Sequence, residues 1–456
     1  MKVVLLVTGI FLMGVSAMSA DVWPQYPSNP FVIQLDIPAE DKSLGGIITA
    51  DVDDDGLMDY LVTKPGVITC AHHEGKTLWT RKLDVGVRGQ SESQGLPGWH
   101  GPGVQAADVD GDGETEVLFM TKDGTLHVVE GKTGKNKHAP VDVTPLKGMD
   151  VWEVAIVANF RGKGDRDILF QATNPKRYRM GKYLAACAYG KGGKLTKLWS
   201  TGRYLGCAHN SARVADINGD GKDEVLGATL LGADGKLLYR LPRFRGHLDS
   251  IFVYDVLPDR PGLEVVALQE GGKQRVFLYD DRGLIWHSHH RNQEPQNAAV
   301  GRFDPKRKDL QVWCRTRYNE HQRPFVLDAA GKLVEEYRMD DVAPKGWTVR
   351  GVEVISCIDW TGGAAQLACA KERHRSGDVA IFQPIGGKFV KTFRTKADRL
   401  YVADVSGDPR EEILVVNGTR LEIYHNDQPN PQPNKPRLWS QQHYRRSKMT
   451  WNYYSP

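Results

Sequence analysis

Apolar and polar residues alternate in short segments through most of the chain, and spacing typical of helices is almost absent. One unit recurs: an alternating stretch, an acidic turn carrying glycine, then a second β-rich stretch. Ile47-Ile48-Thr49-Ala50-Asp51-Val52-Asp53-Asp54-Asp55-Gly56 is matched by Val104 to Gly113 and by Ala212 to Gly221. Weaker copies centre on Asn159, Asp255, Arg302, Cys357 and Asp404, so eight anchors follow one another at steps of 39 to 57 residues. Most units add a third strand, as at Thr125–Val129, Arg275–Tyr279 and Arg420–Tyr424, and often a fourth, as at Gly75–Trp79 and Gly283–Trp286.

Four short antiparallel strands in each repeat of about 50 residues is the sequence form of a propeller blade. The pattern predicts an all-β protein, a β-propeller of eight four-stranded antiparallel blades, with seven as the fallback because the sixth and seventh units are degenerate. The last unit lacks a fourth strand before its proline-rich stretch (Pro429, Pro431, Pro433, Pro436). Phe31–Leu35 is expected to supply it, closing the ring and covering an edge otherwise open to pairing.

Residues 1–20 stand apart: Lys2, an apolar run from Val3 to Val15, then small residues ending Ser16-Ala17-Met18-Ser19-Ala20. That is the form of a secretory signal peptide, and the run is short for a membrane span. The expected organisation is a signal peptide at 1–20, the propeller at 21–428 and a tail at 429–456 that packs back on the ring, in a secreted or periplasmic monomer without a membrane span. Three aromatic residues (Trp451, Tyr453, Tyr454) near the end are costly to leave in water, which favours that packing. Sixty basic against 56 acidic residues leave a net charge of +4, which gives no electrostatic case for nucleic acid. Six Cys in 456 residues exclude a disulfide-built scaffold. Cys357 and Cys369 fall on predicted neighbouring strands, where either a bridge or two buried thiols fits.

Three turns place oxygen ligands at relative positions 1, 3, 5 and 9: Asp51, Asp53, Asp55, Asp59; Asp108, Asp110, Asp112, Glu116; and Asp216, Asn218, Asp220, Glu224. Alternating carboxylates on a tight turn can converge on one hard cation, and calcium takes about six to eight oxygens. The twelfth positions hold Val62, Phe119 and Gly227, which excludes an EF-hand. Calcium is therefore the expected ion, in a structural role, and a plain Asx turn is the alternative. Asp404, Ser406, Asp408 and Glu412 form a weaker fourth loop.

These units resemble FG-GAP-type calcium propeller repeats. From about residue 200 onward the chain is similar to the family 11 rhamnogalacturonan lyases. The resemblance is carried by Ala208-His209-Asn210-Ser211 with the acidic loop that follows, by Gly246-His247-Leu248-Asp249, by Leu257-Pro258-Asp259-Arg260-Pro261-Gly262-Leu263-Glu264-Val265 and by Asn417-Gly418-Thr419. It implies eight blades, bound calcium, and β-elimination at a uronic acid in a rhamnose-containing polysaccharide. The chain departs from the family at Arg420, where the family's proposed catalytic residue is Lys, and at Gln296-Asn297-Ala298, where the family usually shows Gly-Arg-Gly.

In a propeller the loops entering the innermost strands face one mouth. The residues five to eight before each anchor include His100, Trp152, His209, Asn210, His247, Asp249, Asn297, Arg350 and Arg399, a polar and cationic set for a β protein. A uronate lyase must neutralise the carboxylate, remove the C5 proton and protonate the departing oxygen. Arg350, Arg399 and Arg420 are candidate neutralisers and His209 and His247 candidate bases. Tyr454 or Tyr453 is the candidate acid, because the family tail ends in a comparable Trp, Asn and Tyr pattern. His100, Asn210, Asp249, Arg350, Arg399, Asn417, Gly418 and Thr419 are the candidate contacts to an acidic polysaccharide. Paired carboxylates for hydrolysis, a serine elbow, zinc spacing and a phosphate loop are not evident in the sequence. The competing class is a non-catalytic propeller that binds sugar or protein.

Overall fold

The computed structural model describes residues 26–39, 45–83, 85, 103–143, 152–173, 180–206, 211–290, 294–316, 321–345, 347, 351–372 and 377–450. Its strands form eight four-stranded antiparallel sheets. The innermost strands are Gly46–Ala50, Val104–Ala107, Trp152–Ala158, Arg213–Ala215, His247–Tyr254, Pro295–Gly301, Val352–Ile358 and Arg399–Ala403. The first touches both the second and the eighth, which closes the ring and excludes the seven-bladed alternative. Phe31–Gln34 pairs antiparallel with Arg420–Tyr424, so the eighth blade takes its outer strand from the start of the chain. Seven of the eight sequence anchors are the residue just past an innermost strand; Cys357 instead lies inside its strand, and Asp359 holds the equivalent place.

The inner strands are buried along nearly their whole length because each blade is covered on both faces. Ile47 and Tyr60 join a cluster with Leu414 and Leu421 of the eighth blade. Their chain neighbours Ile48 and Leu61 point the other way and join Val117 and Phe119 of the second. Each such side chain contributes about 1.5–3 kcal/mol relative to exposure, so alternation here selects between two neighbouring blades. The outermost strands Leu237–Arg240 and Leu333–Glu336 have only one covered side and are largely exposed.

A second device joins blades near the rim. The indole Nε1 atoms of Trp79, Trp199 and Trp286 donate to the backbone oxygens of Gly131, Ala233 and Ala329 in the following blades, at 2.6, 2.7 and 2.8 Å. Each indole lies over a glycine of that blade (Gly134, Gly235 or Gly331), where an added Cβ would stand 2.5 to 2.7 Å from the ring. These glycines are required by close approach as well as by their positive φ.

Cys357 is paired in register with Ala368, and Cys369 with Ser356. The two thiols therefore face opposite sides of the blade, lie in different core clusters and are free. Among the described residues no helix is long and apolar enough to cross a membrane. The main helix, Gln442–Met449, stands in the ring and touches the innermost strands of the first, second, fourth and fifth blades.

Candidate functional site

The turns that leave the innermost strands lie on one face, which we call the loop face. The starts of those strands, and the turns joining second to third strands, lie on the other face, the mouth. Helix Gln442–Met449 enters from the loop face. Near its start, Gln442 Nε2 donates to Asp165 (2.7 Å), the Tyr444 hydroxyl bonds Glu411, and Arg446 pairs with Asp165 and Asp223. Deeper in, Lys448 Nζ donates to the Val402 oxygen (2.8 Å), Tyr401 donates to the Lys448 oxygen (3.0 Å) and Gln105 donates to the Met449 oxygen (2.7 Å). Thr450, which follows, is buried. The axis is thus filled from the loop face by a helix about 12 Å long.

At the mouth the fifth blade gathers three ligand-type side chains. His247 begins the innermost strand and is paired in register with Glu270, the last residue of the second strand. The ladder shifts between Leu248 and Ser250, which leaves Asp249 as a bulge residue. Bulges of this kind re-aim a side chain at a functional edge. His247 Nε2 lies 2.6 Å from Glu270 Oε2 and 3.2 Å from Asp249 Oδ1. Asp249 is fully buried. Burial pushes its carboxyl up to about 8, with the Glu270 charge adding and His247 opposing. One atom from each of the three residues lies within 4.8 Å of the others. Two hard oxygens and an imidazole at that spacing fit a divalent cation by donor chemistry. Beside the cluster, Glu294 Oε1 accepts the Gly271 N–H (3.0 Å), and fully buried Arg315 donates to Gln296 Oε1 (2.8 Å).

The equivalent mouth turn of the eighth blade is Asn417-Gly418-Thr419-Arg420, a two-residue hairpin closed by Asn417 opposite Arg420. Gly418 has φ +61°, the left-handed conformation such a turn needs. Its N–H donates to Asp398 Oδ2 (3.0 Å), and its oxygen accepts from Lys64 Nζ of the first blade (3.2 Å). The Thr419 oxygen accepts from Leu35 N and Gln34 Nε2, so the ring-closing strand also pins the turn. Asn417 Nδ2 donates to Glu422 Oε1 (2.9 Å), and the half-exposed Arg420 guanidinium lies 3.1 Å from the same oxygen. Arg399 begins the innermost strand of this blade and is buried; burial lowers its pKa to about 10, which Asp398 opposes, and it stays charged at neutral pH.

The structure therefore brings His247 and Asp249 together, and Asn417, Gly418, Thr419 and Arg420 with Arg399, on two blades of one mouth. His100, His209, Asn210, Arg350 and Tyr454 lie outside the described residues. Glu270 was missed by the sequence reading. The hairpin register carries the signal for it, since counting outward from the acidic turn places it opposite His247.

On the loop face the first residue of each acidic loop caps the turn. Asp51 accepts from Asp55 and Gly56, Asp108 from Gly111 and Gly113, and Asp216 from Gly219, Asp220 and Gly221. The ninth residue also holds backbone: Asp59, Glu116 and Glu224 accept from Val52, Val109 and Ile217. Gln311 does the same for Phe303 in a loop without the acidic pattern, so that position has a turn-holding role independent of any ion. Burial pushes Asp59, Glu116 and Glu224 each up to about 7, with neighbouring loop carboxylates adding to it. Crowded carboxylates around a buried one fit a dication where no cationic side chain of the protein fills the loop. In the weaker fourth loop the chain's own cations fill the place: Arg437 Nε meets Asp404 at 2.5 Å and Arg410 pairs with Asp408 at 2.7 Å.

Comparison with known proteins agrees with this architecture. The model of the C-terminal domain of rhamnogalacturonan lyase family 11 matches residues 176–454. The rhamnogalacturonan exolyase YesX of Bacillus subtilis (strain 168) is 26% identical over 411 residues, covering 77% of this chain and 63% of the relative. The endolyase YesW of the same organism is 25% identical over 340 residues, covering 60% of this chain and 52% of the relative. The chain thus spans less than two thirds of the length of these relatives. The crystal structure of YesX superposes with a TM-score of 0.64 at 19% identity, covering 87% of this chain and 76% of that one.

Proposed function

The chain belongs to rhamnogalacturonan lyase family 11, and from that premise we propose that it binds an acidic, rhamnose-containing polysaccharide at the mouth of the ring and cleaves it by β-elimination. The observation that carries this reading is the His247–Asp249–Glu270 cluster, aimed by a bulge into the same mouth as Arg399 and the Asn417–Arg420 turn. In this reading His247, Asp249 and Glu270 hold a divalent cation. Such an ion supplies Lewis-acid polarisation of the uronate carboxylate, which makes the C5 proton easier to remove. Held between two carboxylates, His247 suits a ligand better than a base, which leaves His209 as the candidate for proton removal. Arg420 attracts the polymer's carboxylates, since a guanidinium stays charged and pairs with carboxylate in a fixed fork, and the buried charge of Arg399 adds to the field at the mouth. Tyr454 is the candidate acid for the leaving oxygen.

Calcium is proposed for the loop headed by Asp216, whose four ligand-position residues come with no cationic side chain from the neighbouring turn Gly232–Lys236 among the described contacts. Export is proposed from the form of residues 1–20.

One observation favours a second reading. Arg420 stands where the resemblance places a lysine, and it is engaged with Glu422; this suits binding without turnover. Incubation with rhamnogalacturonan separates the two. A lyase releases unsaturated uronate ends that absorb in the far ultraviolet. Depletion of the polymer with no new chromophore, with or without calcium, leaves the binding module.

A further inference from the structure

The three acidic loops share a ligand pattern but not their surroundings, and the difference comes from the turn after the third strand of each blade. In the fourth blade that turn keeps to itself: Asp234 accepts its own Lys236 N–H and pairs with the exposed Lys236 ammonium. In the second blade it sends Lys137 into the loop, with Nζ 2.5 Å from Asp112 and 3.1 Å from Glu116. His138 Nε2 stands 3.5 Å from Asp110 there. In the first blade it sends two adjacent imidazoles. His72 Nε2 lies 3.6 Å from Asp53 Oδ2 and 3.7 Å from Asp55 Oδ2. His73 Nδ1 lies 3.7 Å from Asp55 Oδ2 and 3.7 Å from Asp59 Oδ1.

We infer that the loop of the first blade is a mixed imidazole–carboxylate site for a transition-metal dication of the zinc class, with His72, His73, Asp53, Asp55 and Asp59 as its ligand set. All four nitrogen–oxygen separations are longer than a hydrogen bond. They match the spacing of two ligands on one ion instead: bonds of about 2.0–2.2 Å at a tetrahedral angle put ligand atoms about 3.4 Å apart. Imidazole nitrogens favour zinc, copper, nickel and cobalt, whereas calcium takes oxygen. Asp53 supplies an independent observation. Its Oδ1 is shut off from solvent and has no hydrogen-bond partner among the described residues.

The rest of the loop is organised for ligation. The His73 N–H donates to Asp59 Oδ1 (3.0 Å), and the Asp51 carboxylate caps the turn. The Glu74 carboxylate is held by Lys76 Nζ at 2.9 Å and stands 3.7 Å from His72 Nδ1, near that nitrogen without bonding it. The Glu74 N–H also approaches that nitrogen at 3.3 Å, a long contact that the Nδ1–H tautomer gives up. Asp54 at the tip has φ +61° where the other two loops have Gly111 and Gly219. Its carboxylate binds the Thr115 N–H and hydroxyl of the second blade, which fixes the loop and leaves Asp54 out of the ligand set.

This inference concerns the loop face and stands apart from the lyase reading. Its test is cobalt titration of the chelator-treated full chain, read by visible absorption. The His247→Asn variant is used so that the mouth cluster does not contribute. The expected result is a ligand-field band that saturates with one equivalent of Co²⁺, is displaced by Zn²⁺ and survives an excess of Ca²⁺. In the same background His72→Asn with His73→Asn should weaken Co²⁺ binding by at least the roughly 10–100-fold that losing one supporting partner alone costs. Asp216→Asn should leave the band in place. Circular dichroism and Asp53→Asn, which keeps both histidines, separate ligand loss from misfolding. A band that Ca²⁺ displaces stoichiometrically, or one indifferent to His72 and His73, would overturn the assignment and leave the imidazoles as counter-charges to the loop.

Discussion

Three carboxylates on the loop face join distant parts of the chain, whereas the ligand-type cluster at the mouth is gathered within one blade. Asp165 and Asp223 belong to the third and fourth blades, and both meet Arg446 of the C-terminal helix; Glu411 of the eighth blade meets Tyr444 of the same helix. At the mouth, His247, Asp249 and Glu270 come from two adjacent strands of the fifth blade. One chemical ingredient therefore has two uses. Where it bridges blades to the helix it holds the axis closed, and where it converges inside a single hairpin it offers a ligand site the ring does not need for closure. Substitutions on the two faces should separate stability from turnover.

The largest effect is expected at the helix. Arg446 and Asp223 are both buried, and removing one partner of a buried pair costs about 3–5 kcal/mol because the other charge is left uncompensated. Arg446→Met should lower unfolding stability in denaturant by about that amount, and Asp223→Asn in the same chain should recover much of it. A loss below about 1 kcal/mol, or no recovery in the double variant, would place the closure of the axis elsewhere.

At the mouth the order reverses. Asp249→Asn keeps the shape and removes a ligand charge, so turnover of rhamnogalacturonan should fall roughly 10²-fold or more, the several kcal/mol a bound cation contributes. Its stability should hold or rise, because a buried carboxyl whose pKa is raised to about 8 is costly to keep ionised. Equal losses of stability and turnover would make Asp249 a structural residue.

Most of the ring was legible from the sequence, for a physical reason. Each blade must supply four strands and a tight turn, so alternation and glycine recur with the architecture, and even the pairing of Phe31–Gln34 with the last blade followed from an unpaired edge. The anchor at Cys357 slipped by two residues because its unit has Asp359-Trp360-Thr361-Gly362 in place of the acidic repeat. What fills an acidic loop was not legible there. Asp216 and Asp404 head similar patterns, yet Arg437 reaches Asp404 from 33 residues away, and His72, His73 and Lys137 enter their loops from a turn that a linear motif does not include. Glu270 escaped for the same reason: it is defined by a cross-strand partner, not by spacing from the anchor.

A smaller effect, on stability, follows from the acidic loops headed by Asp216 in the fourth blade and Asp404 in the eighth. The Glu224 carboxyl is raised by burial, then by the Asp220 and Asp216 charges, from 4.5 to about 7. Between those values the unfolded chain has released a proton that the metal-free native state retains. The native state binds more protons there, so stability falls as pH rises from about 4.5 to about 7. The expected size is about 1–3 kcal/mol for such a shift. Calcium should flatten that slope by favouring the ionised loop. Glu224→Gln should remove part of the calcium effect. Glu412→Gln should not, since Arg437 and Arg410 already serve the loop headed by Asp404. Calcium-independent pH profiles for all three proteins would count against an ion at Asp216.

The smallest effect is expected at Arg420, where the two proposed functions part. The guanidinium is half exposed and 3.1 Å from Glu422 Oε1, on a turn already fixed by Asp398, Lys64, Gln34 and Leu35. Arg420→Lys should therefore leave the fold intact and change stability by less than about 0.5 kcal/mol, as surface substitutions usually do. Lysine keeps the positive charge but loses the planar fork, so affinity for the polymer should drop modestly. Its ammonium can also release a proton within an accessible range, which a guanidinium cannot. If the turn takes part in proton transfer, the variant should raise turnover while weakening binding, so kcat and KM both increase. If it serves binding alone, KM increases and kcat stays level. A fall in both affinity and turnover would show that the fork itself orients the uronate, and would move the acid–base work to residues elsewhere on the mouth.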